Sequence, residues 1–196
     1  MHEMARRNVP FLPNQYYHIY NRGAHRVDIF RNDTDYIFLL KLVKKQAEKC
    51  AISVIAYCLM HNHYHFLLRQ NSDIQISKFM QAVFNVYTKA FNSKYQHSGT
   101  LFEGPFRAIH IDRTEYLLHL CRYIHRNPLE AGIVVLPEQW HYSNYSEFIG
   151  QRDGILIDRD FVKENFGSPE SYREFVIEYV PPEKAQKELR HYLFWD

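Results

Sequence analysis

The chain has 196 residues, 46% hydrophobic and 23% charged, which is enough for one substantial core and too little for two large domains. Its net charge of +2, with 12 histidines counted neutral, permits a nucleic-acid partner without demanding one. No apolar run approaches a membrane span, the first apolar stretch is short and follows Arg6 and Arg7, and Cys50, Cys58 and Cys121 lack disulfide or metal-type spacing, so no membrane and a reduced, cytoplasmic setting are expected.

Residues 1–15 are polar with two prolines and read as an arm or first loop. Tyr16-Tyr17-His18-Ile19-Tyr20 reads as a strand, followed by an Asn21-Arg22-Gly23-Ala24 turn that exposes Arg22 and Arg26. Asn32 to Asp35 is a helix start of capping-box type. The helix runs to about Glu48, with Tyr36, Leu39, Leu40 and Val43 at spacings of three and four.

Residues 51–58 and 63–69 read as the second and third strands, joined by the short Met60-His61-Asn62 connection. Asn62 is placed to fix that turn through its side chain. A long helix over 76–95 carries a buried stripe of Phe79, Met80, Val83, Tyr87, Ala90 and Phe91. A loop with Gly99 and Gly104 leads to a fourth strand, Phe106 to Ile111. A second capping box at 112–115 opens a helix that should end near Asn127, because Pro128 disfavours the helical region just before it. Residues 129–150 look irregular, and helical candidates follow at 158–165, 169–180 and 183–194.

The order β-α-β-β-α-β-α matches a ferredoxin-like α+β core: a four-stranded antiparallel sheet with two helices on one face. The helix before Pro128 is the candidate to cover the other face. Within the third strand, His63, His65 and Leu67 point one way while Tyr64, Phe66 and Leu68 point the other. Two imidazoles two residues apart on one strand face can share a divalent ion. On the helix before Pro128, His119 and Asn127 lie one turn either side of Tyr123. A phenol ordinarily loses its proton near pH 10, so its attack on a phosphodiester needs help at the phosphate and at the leaving oxygen. A cation held by two histidines and an amide oxygen provides that help.

Four segments, in order, carry a resemblance to a known family. Tyr57 to Leu68, with His63-Tyr64-His65 as a histidine–bulky residue–histidine (HUH) motif, resembles the "YCLMPNHVHLLL" type of segment. Gly99 to Arg107 resembles "GxLFQGRFK", Arg122 to Gly132 resembles "RYIHLNPVRAG", and Trp140 to Tyr145 resembles "WxWSSY". Together they are similar to the IS200-like transposases, especially the REP-associated tyrosine transposases, over residues 13–150, with 151–196 as a helical C-terminal extension.

The resemblance implies a single-stranded DNA endonuclease and strand transferase acting at hairpin or palindromic DNA through a 5′-phosphotyrosine. Tyr123 matches the nucleophile, His63 and His65 the metal pair, and Asn127 the position completing a Mg²⁺ or Mn²⁺ site. The protein would be a monomer or a homodimer. His61 stands where the family has proline, and Pro105 with Arg107 departs from an Arg-Phe-Lys register. His125 is read as a phosphate contact and His119 as structural. Arg22, Arg26, Arg107, Arg113, Arg122 and Arg126 are candidates to line a DNA channel, Glu103 to lie near the ion or read a base, Trp140 to bind DNA, and exposed Tyr or Phe of the 99–106 and 140–145 loops to stack on unpaired bases. Two other readings use the same residues: a binding module for hairpin DNA or structured RNA that does not cut, and a hydrolase using activated water with Tyr123 structural.

Overall fold

The computed structural model describes residues 9–178; the helix expected over 183–194 and the first eight residues of the arm lie outside them. Four strands, β1 (Tyr16–Arg22), β2 (Ile52–Leu59), β3 (His63–Gln70) and β4 (Arg107–Ile111), form one antiparallel sheet in the order β2-β3-β1-β4. This is the expected ferredoxin-like arrangement.

Helices α1 (Asp33–Cys50) and α2 (Ile76–Tyr95) cover one sheet face. The stripe on α1 is Tyr36, Leu39, Val43, Ala47 and Cys50, all buried. On α2 it is Ile76, Phe79, Met80, Val83, Tyr87 and Phe91. Period-3.6 stripes on both helices meet a period-2 strand face, where Tyr64 of β3 lies against Phe84 of α2 with centroids 4.5 Å apart. The start of α1 differs from the expected box. Asn32 makes no side-chain cap; instead the Asp35 carboxylate accepts from the Arg31 backbone N–H at 2.9 Å, Lys94 Nζ at 2.7 Å and Tyr95 Oη at 2.7 Å.

Helix α3 (Thr114–Glu130) lies across the opposite face, against β2, β3 and β4. The expected stop before Pro128 gives way: the helix runs through it to Glu130, and no side-chain cap forms at Arg113. Proline inside a helix removes one N–H and crowds the preceding turn. Here the last turn closes by other bonds, from Ala131 N–H to Asn127 O, Gly132 N–H to Leu129 O and Ile133 N–H to Pro128 O, and the Pro128 ring is buried.

The edge of β2 is covered by the segment after a 3-10 turn at Pro137–Gln139. Leu59 N–H donates to Tyr142 O at 2.9 Å, and Cys58 bridges Ser143. A bulge between Val54 and Ala56 breaks the β2–β3 register. Asn144, fully buried, serves it: Oδ1 accepts from Tyr57 N–H at 2.8 Å and Nδ2 donates to Ile55 O at 2.9 Å. Backbone polar groups that leave a ladder need partners, and one amide side chain supplies two. After the short helix α4 (Tyr145–Phe148), α5 (Arg159–Phe166) is capped by Asp158 and α6 (Pro169–Ile177) by Ser168, with Pro169 in its first turn. Helix α6 packs on α3.

Candidate active site

Strand pairing decides which side chains share the α3 face. Tyr20 lies opposite His65 and Arg22 opposite His63 across β1 and β3, and Tyr20 lies opposite Arg107 across β1 and β4. Directly paired residues project to the same side, as do residues two apart. His18, Tyr20, Arg22, His63, His65 and Arg107 therefore occupy one face, and the rings of Tyr64 and Phe66 go to α1 and α2.

His63 Nδ1 is 2.7 Å from Asn62 Oδ1. That amide is oriented by its Nδ2 donating to Arg26 O at 3.4 Å, so its oxygen faces the ring and can only accept. His63 therefore carries a hydrogen on Nδ1, and Nε2 is the ring nitrogen that a cation could take. His65 is fully buried, and its Nδ1 is 3.0 Å from His18 Nε2. Burial above all, then the neighbouring His63 and His18, holds its pKa well below the ordinary 6.5, so the ring is neutral, as a metal ligand must be.

Helix α3 brings Tyr123 to His65 and His18 within the same chain. Its half-buried ring stands edge-on to His65 with centroids 5.5 Å apart, and to His18 at 6.3 Å. One turn on, Asn127 Nδ2 donates to Tyr123 O at 3.0 Å, so of that amide's two polar atoms only Oδ1 has lone pairs to offer a cation. Two imidazole nitrogens and an amide oxygen are a chemically apt donor set for a divalent ion, and suit Mn²⁺ better than the oxygen-preferring Mg²⁺. Among the described residues no group of three or more His, Cys, Asp or Glu is placed to hold a metal, so a metal site here would have to draw on Asn127 and on oxygens of water or substrate.

The other expected residues divide. Arg22 is held by Glu103 through Nε at 3.2 Å and Nη2 at 3.0 Å; Glu103 is reached because residues 101–103 pair with 22–24 beyond the end of β4. Arg107 and Arg26 are exposed, Arg26 at a left-handed φ of 61°. Arg122 is only 8% exposed, donating to His119 Nδ1 and to Phe175 O at 3.2 Å. Arg126 donates to Glu130 and to Val176 O at 2.8 Å. Both guanidinium groups thus neighbour Tyr123 in sequence yet meet carbonyls at the end of α6.

Trp140 is a core residue, its indole N–H on Leu59 O at 3.0 Å, so it has no exposed face for a base. His61 is engaged away from His63 and His65: its Nδ1 is 3.0 Å from Tyr36 Oη and its ring lies edge-on to Trp140. His125 has no surface for a phosphate. It is fully buried, its Nε2 2.9 Å from Asn144 Oδ1 and its Nδ1 beside Tyr172 Oη. Asn144 Oδ1 accepts, so His125 carries its hydrogen on Nε2 and Tyr172 donates to Nδ1. Burial pushes the His125 pKa down to about 4.

His18, Asn144 and Tyr172 escaped the sequence reading. His18 had a signal, since it shares the β1 face with Tyr20; seeing it required the β1–β3 register. Asn144 and Tyr172 had none short of knowing that residues 19 and 47 positions from His125 return to it.

Comparison with known proteins agrees with this architecture. A REP-associated tyrosine transposase, solved bound to a REP hairpin, superposes with a TM-score of 0.65 at 16% identity, covering 79% of this chain and 94% of that one, and so shares the fold. A putative transposase from Deinococcus radiodurans is 17% identical over 63% of this chain and 96% of its own, with a TM-score of 0.43. No curated protein matches the chain. The family model described as "Transposase IS200 like" matches residues 12–127, more than half of the sequence and the whole stretch from β1 through Tyr123 to Asn127, and the chain therefore belongs to the IS200-like transposase family.

Proposed function

We propose that this transposase-family protein cleaves and rejoins single-stranded DNA beside hairpins, with Tyr123 as nucleophile and His63, His65 and Asn127 holding Mn²⁺ or Mg²⁺. The single observation that carries the reading is the Tyr123 ring 5.5 Å from the buried His65 in its own chain. On this reading both halves of the site come from one subunit, and a monomer would suffice. Among the described residues no helix is long and apolar enough to cross a membrane.

When bound, the ion supplies electrophilic activation of the scissile phosphate and stabilises charge on the departing oxygen. The residues do the rest. Helix α3 presents the phenol, and its Oη forms a bond to phosphorus as the bond from phosphorus to the 3′ oxygen breaks. The phenolic proton leaves to solvent, and the 3′ oxygen takes up one proton to become a hydroxyl. The reverse attack by a 3′-hydroxyl restores the DNA and the phenol. Arg22, Arg26 and Arg107 meet phosphates along the strand, with Glu103 tempering Arg22. Residues 13–150 form the catalytic unit, and α6 of the 151–196 extension braces α3 from behind.

The test is incubation with hairpin-bearing single-stranded DNA and Mn²⁺, read on a denaturing gel. A protein–DNA adduct that survives denaturation, and is lost in Tyr123→Phe while DNA affinity is retained, supports the reading. Binding without an adduct favours the non-cutting module; cleavage surviving in Tyr123→Phe favours the hydrolase.

A further inference from the structure

We propose that His18 is a positioning residue: it selects the tautomer of His65 and aims that ring's Nε2 at the metal position. The inference rests on the metal reading above and deepens it.

The argument starts from the contact itself. His18 and His65 are both fully buried on adjacent central strands, with Nε2 of one 3.0 Å from Nδ1 of the other. Their ring planes differ by 24° and their centroids lie 5.2 Å apart. Those three values are compatible only with rings lying end to end in nearly one plane, because face-to-face rings at that nitrogen separation would have much closer centroids. An imidazole N–H points outward in its ring plane, so this is a well-aligned N–H···N hydrogen bond.

Such a bond holds one hydrogen between the two nitrogens, in one of two places. With the hydrogen on His65 Nδ1, His65 presents a lone pair at Nε2. With it on His18 Nε2, His65 accepts at Nδ1 and carries its own hydrogen on Nε2, where it blocks a cation. No net charge separates the two forms. Histidine ligands are commonly set by what the second ring nitrogen meets, and partners of this kind are worth about 10–100-fold in metal affinity. Asn62 does this for His63 by accepting from Nδ1; His18 is the corresponding partner of His65. The two ligands would then face the ion through the same nitrogen. His18 also lies edge-on to Tyr123 at 6.3 Å, so one buried ring touches both the ligand and the proposed nucleophile.

Three proteins test it: the parent, His18→Gln and His18→Phe. Glutamine can place its side-chain oxygen where Nε2 stood and accept from His65 Nδ1; phenylalanine keeps a ring but accepts nothing. Mn²⁺ affinity is read by electron paramagnetic resonance of the free ion, and the hydrogen-bearing nitrogen of His65 by ¹⁵N NMR of the metal-free protein. The expected result is His65 hydrogen on Nδ1 in the parent and in His18→Gln, with near-parental Mn²⁺ affinity in the latter and a loss of about 10–100-fold in His18→Phe. Parental affinity in folded His18→Phe, or His65 hydrogen on Nε2 in the parent, overturns the assignment. If His18→Phe fails to fold, the parent spectrum and the His18→Gln affinity still decide. A parent that binds no Mn²⁺ overturns the metal reading itself, and this inference with it.

Discussion

Replacing Asn144 with alanine should be among the most damaging single changes in the fold. The fully buried amide makes four hydrogen bonds: from Tyr57 N–H at 2.8 Å, from His125 Nε2 at 2.9 Å, to Ile55 O at 2.9 Å and to Leu156 O at 3.2 Å. They join the β2 bulge, α3 and the chain leading into α5. Alanine leaves all four partners buried. An orphaned buried group costs about 1–3 kcal/mol, but water entering the vacated space recovers part of it, so we expect a loss of about 3–5 kcal/mol. Against a typical total of about 5–15 kcal/mol, that is a large fraction. Urea denaturation followed by circular dichroism measures it, comparing midpoints at an unchanged slope. Because Asn144 and Tyr172 fix the tautomer of His125 from opposite sides, Asn144→Ala and Tyr172→Phe should also be non-additive in a double-mutant cycle. A loss below about 1 kcal/mol for Asn144→Ala would refute the reasoning, since it would mean water serves these groups as well as the amide does.

Other outcomes follow from the same geometry. His125 has a folded-state pKa of about 4 against an ordinary 6.5, so in that window the unfolded chain binds a proton that the folded chain refuses. Its contribution is fully present above 6.5 and is lost as pH falls towards 4, about 3 kcal/mol in all; urea midpoints across this range should show the decline, and His125→Phe should flatten it. Glu103→Gln removes the carboxylate that Arg22 now meets, so single-stranded DNA should bind more tightly at low salt, with a log–log salt slope steeper by about 0.7; an unchanged slope counts against Arg22 as a phosphate contact. Gly23→Ala should destabilise the turn after β1, because a Cβ there would lie 2.1 Å from Val27 O; a thermal melt at the parental temperature would contradict that.

Local patterning carried much of this architecture into view. The two-residue alternation of β3 sorts its histidines from its core aromatics, and the stripes of α1 and α2 predict their buried faces. What stayed hidden depends on long-range packing. The helix passes Pro128 because the ring is buried and the following turn finds other hydrogen bonds, neither visible from the local steric preference. Arg122, Arg126 and His125 resemble a basic DNA-facing row, yet α6 returns some fifty residues later to take their side chains. Trp140 lies in an aromatic-rich stretch suggestive of stacking, but the uncovered edge of β2 claims that stretch for the core.

The central claim is that a phenol and an imidazole-held cation stand together on one face of one chain. Anomalous scattering at the manganese edge, from crystals grown with Mn²⁺, tests it most directly. The account predicts a peak bounded by Nε2 of His63, Nε2 of His65 and Oδ1 of Asn127, with Tyr123 of the same chain facing it. A well-occupied peak elsewhere, or a peak at the histidines with Tyr123 turned away from it, contradicts the account.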